Sequence, residues 1–264
     1  MISVDTIISM KKKSEKIVAL TAYDFISARI LDESGVDIIL VGDSAANVFA
    51  GEKTTLPITM EELLYHTRVV ARAVKNALVV ADMPFLSYQV SMESAVYNAG
   101  RFLQVGACAV KLEGGQPVVP TVKRLVDLGI PVMGHLGLTP QSVHKFGGYK
   151  LQGVGEKAAE RMIQDAKDLQ AAGAFSVVLE KIPRVLAKRI SAAVEIPTIG
   201  IGAGPDCDGQ VLVLHDMLGL FEEYRPKFVK RYANLGEQVK QAVEHYKKDV
   251  KEGLFPDTEH SFDP

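Results

Sequence analysis

Val110-Lys111-Leu112-Glu113-Gly114-Gly115 follows the apolar residues Ala107, Cys108 and Ala109, so it reads as the end of a short buried strand running out into a Gly-Gly turn. Side chains alternate along a strand, which sends Lys111 and Glu113 to one face and Val110 and Leu112 to the other. Taken alone, the pair fits a solvated strand end with an ordinary ion pair. Three further apolar runs end the same way: Leu40-Val41-Gly42-Asp43-Ser44, Val79-Val80-Ala81-Asp82-Met83-Pro84 and Val177-Val178-Leu179-Glu180-Lys181. Acids repeated at strand ends are a site signal.

Outward from these runs the pattern recurs: an apolar run, a turn, a helical stretch and a short return. Strands are expected near Ile17 to Leu20, Val36 to Val41, Leu78 to Ala81, Ala107 to Leu112, Ile130 to Met133, Phe175 to Leu179, Thr198 to Ile201 and Gln210 to Leu214. Thr59 with Glu62 forms a capping box, and Met60, Leu63, Leu64, Thr67, Val70 and Val74 make an apolar stripe behind it. Gly35, Gly106, Gly129 and Gly173 each stop a helix just before a strand. Non-alternating strands separated by helices imply a parallel sheet covered on its outer face. In an open sheet, Asp43 and Glu180 would stand roughly 19 Å apart, whereas eight strands closed in a ring roughly 15 Å across would face them over one small molecule. The expected fold is a single α/β domain over residues 1–264, a (β/α)8 TIM barrel with an N-terminal capping helix and a C-terminal helical extension.

The capping helix is read at Asp5 to Lys16, its lysines as a solvated face. The extension is read at Pro226 to Lys251, with a loosely held tail from Gly253 to Pro264. Long connections at Ala45 to Ile58 and Leu136 to Val154 leave one rim and either cover the site or meet a neighbouring subunit. Gly200-Ile201-Gly202-Ala203-Gly204 lacks a full nucleotide fingerprint and fits close packing against substrate or helix.

Composition narrows the partners. The 264 residues are 47% hydrophobic and 23% charged, with a net charge of -2, which gives no electrostatic case for nucleic acid or an anionic membrane. Small molecules and copies of the same chain are the expected partners. Cys108 and Cys207 form neither a metal spacing nor a disulfide framework. With no apolar span or leader pattern, a reducing cytoplasm is the expected compartment.

The neighbouring carboxylates Asp43, Asp82 and Glu113 repel one another, and Lys111 offsets only one of them. An all-oxygen set favours a hard ion such as Mg2+, with these acids as direct or water-mediated ligands. A 2-oxo acid could fill open positions on that ion, which then stabilises an enolate. Ser44 and Lys111 suit the substrate carboxylate. Glu180, standing apart and unpaired on the far side, would have a raised pKa and act as proton acceptor. His135 is placed among the substrate contacts, a structural hydrogen-bonding role being the other reading.

The chain resembles the ketopantoate hydroxymethyltransferases. The carrying stretches are Leu20-Thr21-Ala22-Tyr23-Asp24, Val41-Gly42-Asp43-Ser44, Thr55-Leu56-Pro57 with Tyr65-His66-Thr67, Ala81-Asp82-Met83-Pro84-Phe85, Val110-Lys111-Leu112-Glu113-Gly114, Gly134-His135-Leu136-Gly137-Leu138-Thr139-Pro140-Gln141, and Ile199-Gly200-Ile201-Gly202-Ala203-Gly204 with Asp208-Gly209-Gln210. The resemblance implies one-carbon transfer from 5,10-methylenetetrahydrofolate to 3-methyl-2-oxobutanoate, giving 2-dehydropantoate in pantothenate biosynthesis. It places metal-binding acids at Asp43, Asp82 and Glu113, substrate contacts at Asp43, Ser44, Asp82 and Lys111, and the proton acceptor at Glu180. It also implies a cytoplasmic homo-oligomer, typically a decamer. The alternative is a Mg2+-dependent 2-oxo acid lyase or mutase of the isocitrate lyase type. Those enzymes resemble one another in a Lys-Lys-Cys-Gly-His loop, absent here.

Overall fold

Several helix starts are marked by a side chain that accepts their free N–H groups. In a computed structural model, which describes residues 1–220 and 226–263, Ser3 and Thr6 form a capping box for α1 (Val4–Lys12). Asp24 accepts from Ile26 and Ser27 at the head of α2 (Phe25–Glu33). Thr59 and Glu62 box α4 (Met60–Ala73), as its sequence predicts. A short α3 (Ala45–Val48) precedes α4 within the first long connection. The series continues with α5 (Met92–Gln104), α6 (Val119–Asp127), α7 (Val143–Phe146), α8 (Glu156–Ala171) and α9 (Arg184–Ala193). The four helix-stopping glycines all have positive φ, a conformation that costs other residues free energy.

Between the helices run β1 (Ile17–Thr21), β2 (Ile38–Val41), β3 (Leu78–Asp82), β4 (Ala109–Glu113), β5 (Val132–Gly137), β6 (Ser176–Glu180), β7 (Thr198–Ile201) and β8 (Gly209–Leu212). All neighbours pair in parallel, and β8 returns to β1, so the sheet is a closed barrel in sequence order. The fold is a (β/α)8 TIM barrel.

One strand differs from the expectation in a way that matters. The strand expected from Ile130 to Met133 instead runs from Val132 through Gly134 to Gly137. Gly134 is needed by packing, since a Cβ there would lie 2.9 Å from Leu169 Cδ1. His135 is therefore a strand residue, in register with Glu113.

Strand starts and α1 close the N-terminal end. Ile7 is fully buried in a cluster with Ile17, Ile38, Leu78, Met133, Phe175 and Ile199. The lysine run is only partly a solvated face: Lys11 donates to the carbonyls of Ser191 at 2.9 Å and Ile196 at 3.0 Å and pairs with Asp208. Asp32 of α2 fastens the chain entering β3, accepting from the backbone N–H groups of Lys75, Asn76 and Ala77. Gly204 packs against α9, where an added Cβ would lie 2.6 Å from Arg184 Cβ.

The chain divides into two compact units, Met1–Val213 and Leu214–Pro264. The second holds α10 (Leu214–Leu218) and α11 (Leu235–Glu252). The helix expected from Pro226 begins only at Leu235, because the Tyr232 N–H bonds the Met217 carbonyl instead of a helical partner. The tail folds back: Leu254 N–H bonds Asp249 O at 2.8 Å, and the Phe255 ring lies 5.7 Å from that of Tyr246. Pro264, the last residue of that segment, lies outside the described residues.

Candidate active site

Register in a parallel sheet decides which side chains stand beside each other. Asp82 pairs with Lys111, Glu113 with His135, and Gly137 with Glu180. The Lys111 ammonium consequently lies 3.2 Å from Asp82 Oδ1 and 3.9 Å from Glu113 Oε1, and 3.2 Å from His135 Nδ1. Asp43, just beyond β2, donates its backbone N–H to Asp82 Oδ2 at 3.0 Å. Asp43, Asp82, Lys111, Glu113 and His135 are each 6% exposed or less, so water screens their charges poorly.

The electrostatics follow from that burial. Burial, then the charges of Glu113 and Asp82, pushes the Asp43 carboxyl up to about 8, so one acid of the group holds a proton near neutral pH. Burial also raises Asp82, against the opposing pull of Lys111. Glu113 goes the other way: burial would raise it, but the close imidazole of His135, together with Lys111, holds it low. Burial would likewise depress Lys111, and the surrounding carboxylates instead hold it high. His135 is pulled down by burial and Lys111, yet the carboxylates of Glu113 and Glu180 close to its two ring nitrogens carry it up to about 9.

His135 changes the reading of Glu180. Expected to stand alone, Glu180 has its Oε2 3.2 Å from His135 Nε2, while Nδ1 of the same ring lies 3.3 Å from Glu113 Oε1. One imidazole therefore spans the acid group and the acid across from it. The isolation of Glu180 failed as an expectation because it rested on distance across the ring from Glu113, and His135 on the intervening strand fills that gap.

Two further side chains complete the group, neither assigned from the sequence. Gln141 donates Nε2 to Asp43 Oδ2 at 2.9 Å and to the Met83 carbonyl at 3.0 Å, and its backbone N–H to Glu113 Oε2 at 3.0 Å. The Tyr88 hydroxyl lies 2.9 Å from Gln141 Oε1 and accepts from the Glu113 N–H at 3.1 Å, which fixes the orientation of the amide. Position just past β5 was the available signal for Gln141; Tyr88 offered none. Ser44 is held separately, its Oγ 2.8 Å from the Tyr23 hydroxyl, and Gly42 makes room for it, since a Cβ there would lie 2.8 Å from that oxygen.

Asp82 Oδ1 and Glu113 Oε1 are buried without completing a hydrogen bond, their cationic neighbours being close but poorly angled. Such oxygens have capacity left for a cation. Among the described residues, no three His, Cys, Asp or Glu side chains are already gathered as a metal cage. A cavity of about 590 Å3 lies elsewhere, between α3 and the start of α4 and lined by Phe49, Tyr65 and His66. None of Asp43, Asp82, Glu113 and Glu180 lines it.

A closed parallel barrel carrying buried acids, a lysine and a histidine at the C-terminal strand ends is a barrel enzyme. Solved structures of similar fold include a phosphonopyruvate hydrolase in complex with oxalate and Mg++, at a TM-score of 0.65 and 12% identity over 98% of this chain and 93% of that one. A 2,3-dimethylmalate lyase matches with a TM-score of 0.61 and 15% identity over 99% and 93%. These likenesses show the fold alone. The sequence profile of ketopantoate hydroxymethyltransferase matches residues 1–258. Relatives called 3-methyl-2-oxobutanoate hydroxymethyltransferase include that of Syntrophus aciditrophicus, 59% identical over 99% of this chain and 96% of the relative. That of Moorella thermoacetica is 58% identical over 96% and 95%. The chain belongs to the ketopantoate hydroxymethyltransferase family and is a transferase; the lyase or mutase alternative is not favoured.

Proposed function

We propose that this chain transfers a hydroxymethyl unit from 5,10-methylenetetrahydrofolate to 3-methyl-2-oxobutanoate, giving 2-dehydropantoate and tetrahydrofolate, with Mg2+ held by Asp43, Asp82 and Glu113. The observation that carries this reading is the His135 bridge between that buried acid group and Glu180. The two oxygens left without hydrogen bonds, on Asp82 and Glu113, are hard donors of the kind Mg2+ takes, and Mg2+ needs only one or two carboxylates beside water and substrate oxygens. Bound there, the ion would polarise the ketone of the substrate and make the neighbouring C3 hydrogen more acidic.

The chain's own residues do the rest. The Lys111 ammonium and the Ser44 hydroxyl receive the substrate carboxylate, Ser44 being oriented by Tyr23. His135 also stands among the substrate contacts, oriented by Glu113. Glu180 takes the C3 proton onto its carboxylate, which His135 Nε2 aims from 3.2 Å. The electron pair left at C3 bonds to the methylene carbon of the folate donor as one of its two C–N bonds opens. Water then displaces the second nitrogen and leaves its hydroxyl on that carbon, and the C3 proton and one proton from water end on the two released nitrogens of tetrahydrofolate. Residence in the cytoplasm and assembly as a homo-oligomer, a decamer by family resemblance, belong to the same proposal. Exposed Val239, Val243 and Tyr246 on α11 support contact with another copy. No described helix is long and apolar enough to cross a membrane.

The test supplies purified protein with the 2-oxo acid, the folate donor and Mg2+, and detects 2-dehydropantoate by mass spectrometry. Product should form, cease after chelation and return when Mg2+ is restored. Absence of product with all three present would refute the assignment.

A further inference from the structure

The loop between β5 and α8 is fastened to two consecutive carbonyls at the end of β6. Glu180 O accepts from the Leu138 N–H at 2.8 Å, where the loop leaves, and Lys181 O accepts from the Gln152 N–H at 3.1 Å, where it returns. A third bond runs from the Lys181 ammonium to the Tyr149 carbonyl. Lys181, next in sequence to the proposed proton acceptor, thus holds the returning limb with both its backbone and its side chain.

Lys181 takes up this position at a cost. Its φ is 47°, left-handed for a residue that is not glycine, and such a conformation persists only where surrounding bonds hold it. Its own N–H is bonded to Ile201 O at 2.8 Å. Glycines shape the loop's seat at both ends. A Cβ on Gly137 would lie 2.2 Å from Glu180 O, and one on Gly153 would lie 2.4 Å from Leu186 Cδ2. The Gly137 limb cannot approach so closely with a larger residue, and at Gly153 a larger residue would push aside the end of Leu186.

The same loop reaches the opposite side of the site through Gln141 and Asp43. Between these anchorages stands Tyr149, its ring partly exposed at the rim. Burial, then the charges of Glu180 and Asp43, raises its phenol above the ordinary range. Any phenol is protonated at neutral pH, and among the described residues this hydroxyl makes no hydrogen bond, so it is available to donate to a ligand.

We propose that Tyr149 contacts the ligand held between Asp43 and Glu180, donating a hydrogen bond from its phenol to a ligand oxygen, and that Lys181 is the positioning residue that keeps it there. Only the identity of the ligand, a 2-oxo acid, rests on the function proposed above.

The test compares Tyr149→Phe, Lys181→Met, the double variant and Lys181→Arg. Calorimetry with Mg2+ and 3-methyl-2-oxobutanoate gives Kd, and turnover gives kcat and KM. Each single change should weaken binding and kcat/KM about tenfold, the loss of one hydrogen bond, with Tm unchanged. The double variant should be no worse than Lys181→Met, and Lys181→Arg should recover most of the loss. Unchanged binding in Tyr149→Phe, or losses that multiply in the double variant, would overturn the proposal. Trypsin on the ligand-free protein isolates the latch: Lys181→Met should be cut faster after Lys150, and equal rates would overturn the positioning role. Wild type that neither binds nor turns over the acid would sink the function reading and the Tyr149 contact together, while the trypsin rates still decide on Lys181.

Discussion

The two ends of the barrel are built from the same strands by opposite chemistry. The N-terminal end is sealed by hydrocarbon, with Ile7 of α1 fully buried among the strand starts. The C-terminal end buries Asp43, Asp82, Glu113, Lys111 and His135 at comparable depth. Burying charge costs free energy unless each charge is matched. The first end thus stabilises the fold, while the second draws on that stability to bury acids that, in the proposed reading, receive a cation and a substrate. Substitutions at the two ends should separate stability from activity.

The largest expected effect on stability is at Lys111, the ammonium amid three carboxylates. Lys111→Met leaves buried like charges unmatched and should cost about 3–5 kcal/mol in chemical denaturation, with activity lost as well. Ile7→Ala at the opposite end should cost about 2–5 kcal/mol by opening a cavity, yet leave kcat/KM of the folded protein unaltered. A change in KM there would break the division between the ends.

Both ends were partly written in the sequence, for different reasons. Eight strands could be read because apolar runs between helices have few other uses, and the acids stood out because they end those runs. The His135 bridge was hidden because it depends on the register of β5 against both β4 and β6, which residue spacing does not encode. Gln141 and Tyr88 were hidden because their partners are set by how two loops cross, and nothing periodic encodes that. The start of α11 was misread because Phe228, Val229 and Tyr232 keep helical spacing while the backbone N–H of Tyr232 bonds elsewhere.

Smaller effects sharpen the contrast. Asp32, far from the chemistry in sequence pattern and role, accepts three backbone N–H groups, and although burial opposes them its pKa is lowered. A depressed folded pKa means that the Asp32 contribution is complete above the unfolded value of about 3.9 and is lost as pH falls through the folded value. Asp32→Asn should therefore be less stable than wild type near pH 7, by about 1–2 kcal/mol, with the gap closing below about pH 4. Thermal melts across that range would show it, and a gap that widened in acid would contradict it. The smallest expected change has the opposite sign. Asp43→Asn keeps the shape and removes the cost of holding a buried carboxyl protonated near neutral pH, so in chelator the variant should equal wild type or gain about 1 kcal/mol, even as turnover disappears.

The central claim, a proton acceptor facing an acid group across one pocket, is tested most directly by following the C3 hydrogen of 3-methyl-2-oxobutanoate. Incubated in deuterium oxide with Mg2+ and no folate, wild type should exchange that hydrogen, read by proton NMR. Glu180→Gln should slow the exchange by about 10²–10⁴ while binding the acid nearly as well. Exchange at the wild-type rate in Glu180→Gln would contradict the account.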